Sequence, residues 1–505
     1  MNQRSDKVSK AKDALSPEKQ ALFELLLNKR KRAESQNSSA ATSAISRRPQ
    51  DMEDVPLSFA QEQFWLLDQI APDSPVYNIP MAFRIVGALN VTALEKSLNE
   101  VIRRHEVLRS TCTAIDGQPT QRIIPELRLS LPIIDLSHLS DGERHQAVAK
   151  YKDDTAHQPF DLATGPLIRA TLLLTENNSE HQEHIFLLNL HHFVADGWSM
   201  GLFYEELTSL YTRLINGQPN SDLAPLPQLP IQYGDFAHWQ RQRINSSTLT
   251  EQLQFWKEQL ADVESLTLAT DRPRPAIQNH HGASYRFTLS PTLSDALRSL
   301  SQREGVTLFM TLMAAFQVLL YRYTQEEDIL VATAVSNRLQ SETERLLGSF
   351  ANNLLLRGKV DGAETFRDLL AQVREVAVKA YANQEFPFAQ LIKGLLPEQE
   401  RQDLSRNPLF QVMFTLHERP EERTLKLANL KVESQPIPMR TSKLDLSLTI
   451  INRADAQTNS DNRALIAGFE YNTELFDENT IQRMADHYRV LLEEVVTNGD
   501  QPLKE

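Results

Sequence analysis

One cysteine, Cys112, stands in a chain of 505 residues. A single thiol excludes an internal disulfide and fits a reducing compartment, so a cytoplasmic setting is expected. Cysteine and histidine do not cluster at zinc-ligand spacings, which argues against a structural metal. No apolar run reaches the roughly 18 residues of a membrane span, and the opening MNQRSDKVSKAKD lacks the apolar stretch of a signal peptide. Basic residues are the minority: 53 Lys and Arg against 66 Asp and Glu leave a net charge of −13. That balance weighs against nucleic acid as a partner, because phosphate binding needs a basic footprint. Two local basic clusters remain, Arg103, Arg104 and Arg109, and then Arg241 and Arg243. Solvated or salt-bridged helix faces are the commoner reading of both.

What is present is globular material, 41% hydrophobic and 24% charged, in a length that allows about two to four domains. Residues 1–50 read as a separate segment. Ser16-Pro17 is a helix start, Leu22, Leu25 and Leu26 give one apolar face, and the basic run Lys29–Arg32 suits the helix C-terminus. A Ser/Asn/Ala-rich linker follows. This helix either docks onto another protein or folds back on its own domain. From there the pattern is dense, mixed α and β. Residues 51–228 are expected to form one lobe, 229–498 a second, and 499–505 the start of a linker to a following domain.

Within the first lobe, Val91 to Arg109 reads as a helix with Leu94, Leu98, Val101 and Ile102 on one stripe. Ile185 to His192 reads as a buried strand, and Leu202, Phe203, Leu207, Leu210 and Leu214 mark a helix closed by Asn216-Gly217. Pro219, Pro225, Pro227 and Pro230 read as an extended connection between lobes. In the second lobe Thr307 to Tyr323 is apolar nearly all round, a buried helix, and Asp328 to Val335 follows as a strand.

The chemistry concentrates at His191-His192-Phe-Val-Ala-Asp196-Gly197. Strand side chains alternate, so the two histidines are expected to point to opposite faces. His192, at a strand end beside a turn, is well placed to meet a substrate with a rigid sheet behind it. A core histidine followed by an ordinary Asp-Gly turn is the plainer alternative, and spacing alone does not exclude it.

The segment matches HHxxxDG, the motif of the condensation-domain superfamily, which is similar in fold to chloramphenicol acetyltransferase. Six further stretches resemble that family's motifs in family order. They are Ser58-Phe-Ala-Gln61-Glu-Gln63-Phe-Trp65, Arg104-His105-Glu106-Val-Leu108-Arg109, Tyr233 to Arg241, Gly348-Ser-Phe350-Ala351-Asn352-Asn353-Leu354, Gln384 to Phe388, and Arg406 to Gln411. Gln63 stands where arginine is usual, and Ala351 and Asn353 also depart from the pattern. Core packing or lobe joining is the commoner role for any single aromatic in these stretches.

The resemblance implies an α/β fold of two chloramphenicol-acetyltransferase-like lobes in a V-shaped pseudo-dimer with a central tunnel. It implies amide formation between a donor acyl or peptidyl thioester and an acceptor aminoacyl thioester. Both substrates arrive on phosphopantetheine arms of donor and acceptor carrier proteins, so no cofactor is expected to be bound by the domain itself. A neighbouring adenylation domain is a further expected partner. His192 corresponds to the residue facing the reaction centre, as base or as positioning group. His191 is expected to orient the loop or pack on the far face. Asp196 is expected to anchor the loop through an arginine, Arg338 first and Arg109 second, with Arg104 as further support. Gly197 is expected to permit a tight turn and close backbone approach, with its amide free for substrate. Trp198, Ser199, Asn352 and Asn353 are candidate tunnel residues. The SFAQ opening resembles domains that accept an L-configured or simple acyl donor. An epimerization domain and a stand-alone acyltransferase share the superfamily, and a non-catalytic domain that recruits carrier proteins is the alternative of another class. The DxxxxD pattern of a heterocyclization domain is absent here.

Overall fold

The computed structural model describes residues 44–52, 54–115, 117–177, 182–216, 226–397, 403, 405–418, 424–452 and 463–504. The expected helix at Ser16–Arg32 lies outside them, as do Gly217, Pro219 and Pro225.

The first lobe runs β1 (Asp54–Pro56), α1 (Phe59–Ile70), β2 (Asn78–Val86), α2 (Val91–Arg104), β3 (Ser110–Ile115), β4 (Gln118–Ile123), β5 (Ile133–Asp135), α3 (Asp141–His157), β6 (Ile168–Asn177), β7 (Gln182–His191) and α4 (Gly197–Ile215). α5 (Tyr233–Arg243) follows and buries Tyr233 and Phe236 in the first lobe's core, although the sequence boundary expected at 228 would give it to the second. The second lobe then runs α6 (Ser247–Gln259), β8 (Gly282–Thr288), α7 (Pro291–Arg303), α8 (Leu308–Thr324), β9 (Asp328–Val335), β10 (Asn352–Lys359), α9 (Phe366–Ala382), α10 (Phe388–Leu395), β11 (Val412–Glu418), β12 (Lys431–Gln435), β13 (Leu446–Asn452), β14 (Leu465–Asn472) and α11 (Glu478–Thr497).

A six-stranded sheet in the order β10-β9-β11-β13-β14-β8 forms the second lobe, and a five-stranded sheet β12-β2-β7-β6-β5 the first. β12 belongs to the later half of the chain yet pairs antiparallel with β2, so the chain crosses back to the first sheet. Leu425, Leu427 and the loop residues Leu346, Leu347 and Phe350 also bury in the first core.

The central strand β7 shows why the alternation matters. Phe186, Leu188 and Leu190 pack on one side against α2 and α4, and Ile185 and Leu187 on the other beneath α3. Both faces are covered, so the strand reads as one apolar run. The expected helix from Val91 stops at Arg104, because His105 leaves helical geometry to bond the buried carboxylate of Glu206 on α4 at 2.9 Å. In the second lobe α8 is buried along most of its length, as its sequence requires, and Thr307 caps it. Its buried amide side chain, Gln317, donates to the Leu356 carbonyl on β10, as a buried donor must find an acceptor.

Candidate active site between the lobes

β7 delivers His191 and His192 to the edge of the first lobe, where the His192 amide donates to the Tyr77 carbonyl at 2.9 Å. The chain then turns, and Asp196 caps α4. Both imidazoles lie beside the same aromatic pair. Both ring centroids lie 6.0–6.1 Å from Phe64 and 6.4 Å from Tyr77. β7 ends at His191, so His192 is the first residue beyond the pleat.

His191 is buried, and its Nδ1 accepts the Phe193 amide at 3.0 Å, which orients the loop. That bond requires an unprotonated Nδ1, and burial together with the Lys443 cation holds the ring down to about 3. His192 is half-buried. Its Nε2 faces Lys443 Nζ at 3.2 Å, across the junction from the second lobe. Desolvation, the Lys443 cation and His191 push its protonation well below the ordinary histidine range, against a backbone bond at Ala195 that favours the proton. The result at neutral pH is a neutral imidazole whose Nε2 carries a lone pair.

Asp196 is fully committed. Its Oδ1 accepts from the Ser199 amide (2.8 Å) and Arg338 Nη2 (3.2 Å), with the Ser199 hydroxyl also at 2.8 Å. Its Oδ2 accepts from the Phe350 amide at 3.0 Å. Arg338 in turn donates to the Thr343 and Leu346 carbonyls and lies 4.0 Å over the Phe350 ring. A carboxylate surrounded by donors has no lone pair to spare for a reacting proton; it ties the α4 turn to the loop before β10. Arg338, the first-choice partner, is therefore the one observed. Arg109 is not: it ends the short helical turn Glu106–Arg109, and its guanidinium is taken up by the carbonyls of Ile102, Ile124 and Pro125. Arg104 pairs with Glu206 at 3.0 Å and supports α4 rather than the turn.

Gly197 is not crowded by the protein's own atoms. It begins α4, and a Cβ built there would meet nothing within 4 Å. Glycine is demanded instead at Gly348, where φ is +154° and a Cβ would sit 2.0 Å from the Tyr233 ring. Tyr233 is buried there, its hydroxyl donating to the Ser349 carbonyl at 2.6 Å and lying 2.7 Å from Ser58 Oγ. Ser58 caps α1, and Gln61 completes the capping box while its amide group reaches the Phe193 carbonyl at 3.5 Å. The early serine motif, the Tyr233 helix and the Gly348 loop thus converge behind the histidine turn.

The tunnel candidates divide. Ser199 is fully buried between Asp196 and Gly348, and Asn352 is buried, holding the Gln384 and Phe386 carbonyls and the Phe388 amide. Both are structural ties. Trp198 is half-buried, its indole donating to the Glu344 carbonyl at 3.0 Å, and Asn353, the second residue of β10, is half-buried too. Arg241 and Arg243 offer no loose basic patch: they pair with Glu62 at 2.5 Å and Glu385 at 2.6 Å and lie over Phe59 and Trp239. Sequence reasoning missed Lys443. Its only signal was a lysine just before the apolar strand of residues 446–452, too common to single out.

The family model for the condensation domain matches residues 51–505. The chain belongs to the condensation-domain family. It is 45% identical over 461 residues to a linear gramicidin synthase of Brevibacillus parabrevis, covering 90% of this chain and 6% of that protein. It is 38% identical over 486 residues to phosphinothricin tripeptide synthetase PhsC of Streptomyces viridochromogenes, covering 96% of this chain and 42% of that one. The chain thus spans well under half of these synthetases. Among solved structures, the X-domain from teicoplanin biosynthesis in complex with OxyB matches with a TM-score of 0.80 at 24% identity, over 93% of this chain and 98% of that one. The four-domain nonribosomal peptide synthetase AB3403, bound to AMP and glycine, matches at 0.76 and 25%, over 93% of this chain and 34% of that one. The two-lobed α/β architecture is that of condensation domains, as the motif series implies. Among the described residues, no single helix is long and apolar enough to cross a membrane, and no group of three or more His, Cys, Asp or Glu is arranged to hold a metal.

Proposed function

We propose that this condensation domain joins a donor acyl or peptidyl thioester to the α-amine of an acceptor aminoacyl thioester, each tethered by phosphopantetheine to its own carrier protein. The donor is L-configured or a simple acyl group, and an adenylation domain works beside it. The observation that carries the reading is His192: a neutral imidazole whose Nε2 faces the junction between lobes, held by a turn whose carboxylate is fully engaged elsewhere.

The chemistry follows from that state. Nε2 accepts a hydrogen bond from the neutral amine and aligns its lone pair with the thioester carbonyl. Alignment of two tethered reactants lowers the barrier by roughly 7–11 kcal/mol in favourable cases. Attack forms the C–N bond and a tetrahedral oxyanion bearing an acidic N–H, a far better proton donor than the free ammonium. His192, although a weak base, accepts that proton as the C–S bond breaks. The proton then passes to the departing thiolate. No covalent enzyme intermediate is needed, and the buried Cys112, its thiol pushed up to about 12, is unsuited to form one.

The test supplies two loaded carrier proteins and follows product by mass spectrometry. His192→Ala is expected to lose about 10²–10⁴-fold in single-turnover rate and to keep its fold, because the His192 backbone bond to Tyr77 does not use the side chain. Wild-type turnover in His192→Ala overturns the assignment. An inverted stereocentre without condensation points to epimerization, and carrier binding without any product points to a recruiting domain.

A further inference from the structure

We propose that Lys443 is a positioning residue of this site: its ammonium, donated to His192 Nε2, fixes the ring in the neutral tautomer whose lone pair faces the lobe junction. The inference rests on the amide-forming reading above and assigns a role to a residue outside every motif that identifies the family in this chain.

Three observations place the lysine by design of the fold. First, its backbone is pinned on both sides. The Ser442 amide donates to the His280 carbonyl at 2.9 Å, and the Gly282 amide to the Arg440 carbonyl at 2.9 Å. Gly282 lies so close that a Cβ there would fall 2.4 Å from the backbone of Thr441 and Ser442. Next to Lys443, the buried Asp445 is held by Arg274. Second, the side chain leaves this pinned segment for the other lobe, ending 3.2 Å from His192 Nε2 and 5.8 Å from the centre of the Tyr77 ring. An ammonium has donors only, so in this contact Nε2 must be the acceptor. Third, Lys443 and His192 are 251 residues apart, so the contact exists only when the two lobes are assembled.

The consequence is electrostatic as well as geometric. A cation within hydrogen-bond distance disfavours a second positive charge on His192 and equally on an amine that arrives there. The acceptor substrate enters as an α-ammonium, which is not a nucleophile. Beside Lys443 it loses its proton more readily, and the neutral amine then replaces the ammonium as the donor to Nε2. The titratable groups facing His192 are His191, Tyr77 and Lys443, with Glu470 behind the lysine accepting the Lys443 backbone amide at 3.3 Å. Only Lys443 supplies a cation among them. Desolvation draws the Lys443 ammonium below the ordinary lysine range, and Glu470 opposes that shift.

The experiment uses the full chain with histidine labelled at 13Cε1, the His192 signal being assigned by its loss in His192→Ala. In wild type and Lys443→Arg, His192 is expected to stay neutral across pH 6–8. In Lys443→Met its titration is expected to move upward by about one pH unit, a tenfold change in proton affinity. The acid limb of the condensation rate is expected to move the same way in Lys443→Met and to return in Lys443→Arg. Lys443→Gln, also uncharged, replaces Lys443→Met should the latter melt early. Identical His192 titration with and without the lysine charge overturns the proposal. If wild type makes no amide product, the proposed reaction fails, while the His192 titration still decides the role of Lys443.

Discussion

Replacing Asp196 by asparagine exchanges one carboxylate oxygen for an NH2 group with almost no change in volume. Both oxygens are in use: Oδ1 faces the Ser199 amide and Arg338 Nη2, and Oδ2 faces the Phe350 amide. Either rotamer of the amide therefore turns two N–H hydrogens toward a donor. If the NH2 takes the Oδ2 place, the Phe350 amide is left unsatisfied in a buried site. If it takes the Oδ1 place, the Ser199 amide and the guanidinium are. In both, the Arg338 side chain, only 1% exposed, loses its carboxylate charge. Breaking a buried pair in this way costs about 3–5 kcal/mol, a figure that already includes part of the orphaned hydrogen bond. With roughly 2.1 cal/mol/K of unfolding entropy per residue, the 51–505 segment changes by about 1 kcal/mol per kelvin, so the melting point should fall by about 3–5 °C if the lobes melt together.

The assay is calorimetry on wild type, Asp196→Asn, Arg338→Met and the double variant, beside single-turnover condensation. Because the two groups contact each other, the double variant is expected to cost less than the sum of the singles. The rate should fall as well, since the turn that carries His192 loses its tie to the second lobe. An Asp196→Asn protein with wild-type melting point and rate would refute the anchor. So would strict additivity in the cycle.

Gly348→Ala should be among the most damaging single-methyl changes, because the added carbon falls on the Tyr233 ring at a backbone angle alanine avoids; the check is soluble yield and melting temperature, and a variant as stable as wild type contradicts the packing described. Cys112 is 3% exposed with a thiol pushed up to about 12, so it should resist iodoacetamide until the chain unfolds, and Cys112→Ala should condense at the wild-type rate; rapid labelling of the native protein would contradict this.

What the sequence made legible was local. The alternation of Ile185 to Leu190 predicts a strand covered on both faces, and the strand from Asp328 to Val335 has the predicted ends. The Asp196 turn is readable because a turn into a helix is decided within four residues, whereas the Ser58 cap goes unread within its motif. Even Arg338 could be named first for Asp196, since an aspartate at a turn needs a charge-matched donor. What failed was whatever depends on the second lobe or on open space. Strict alternation reaches only to His191, where the pleat ends, and says nothing of the Lys443 ammonium that meets His192 from the second lobe. The crowding at Gly348 was not legible either, being set by the Tyr233 ring from a different helix. β12 joins the first sheet from far along the chain, and no pattern in Lys431–Gln435 announces which edge it completes.

Lys443 belongs to the same class of omission, and it shows where function and assembly meet. Asp196 ties the histidine turn to the Arg338 loop, Ser58 and Tyr233 tie α1 to the Gly348 loop, and Lys443 reaches His192 from the opposite sheet. These contacts join residues 142, 175, 116 and 251 positions apart, so none of them forms within one element. The surroundings that hold down His192 protonation therefore combine burial, His191 and Lys443, the last brought from outside the motif. A shift of one lobe against the other by even an ångström would lengthen the contact between Lys443 and His192 and weaken the hold on the neutral ring. The motif supplies the imidazole, and the second lobe brings the ammonium that faces it.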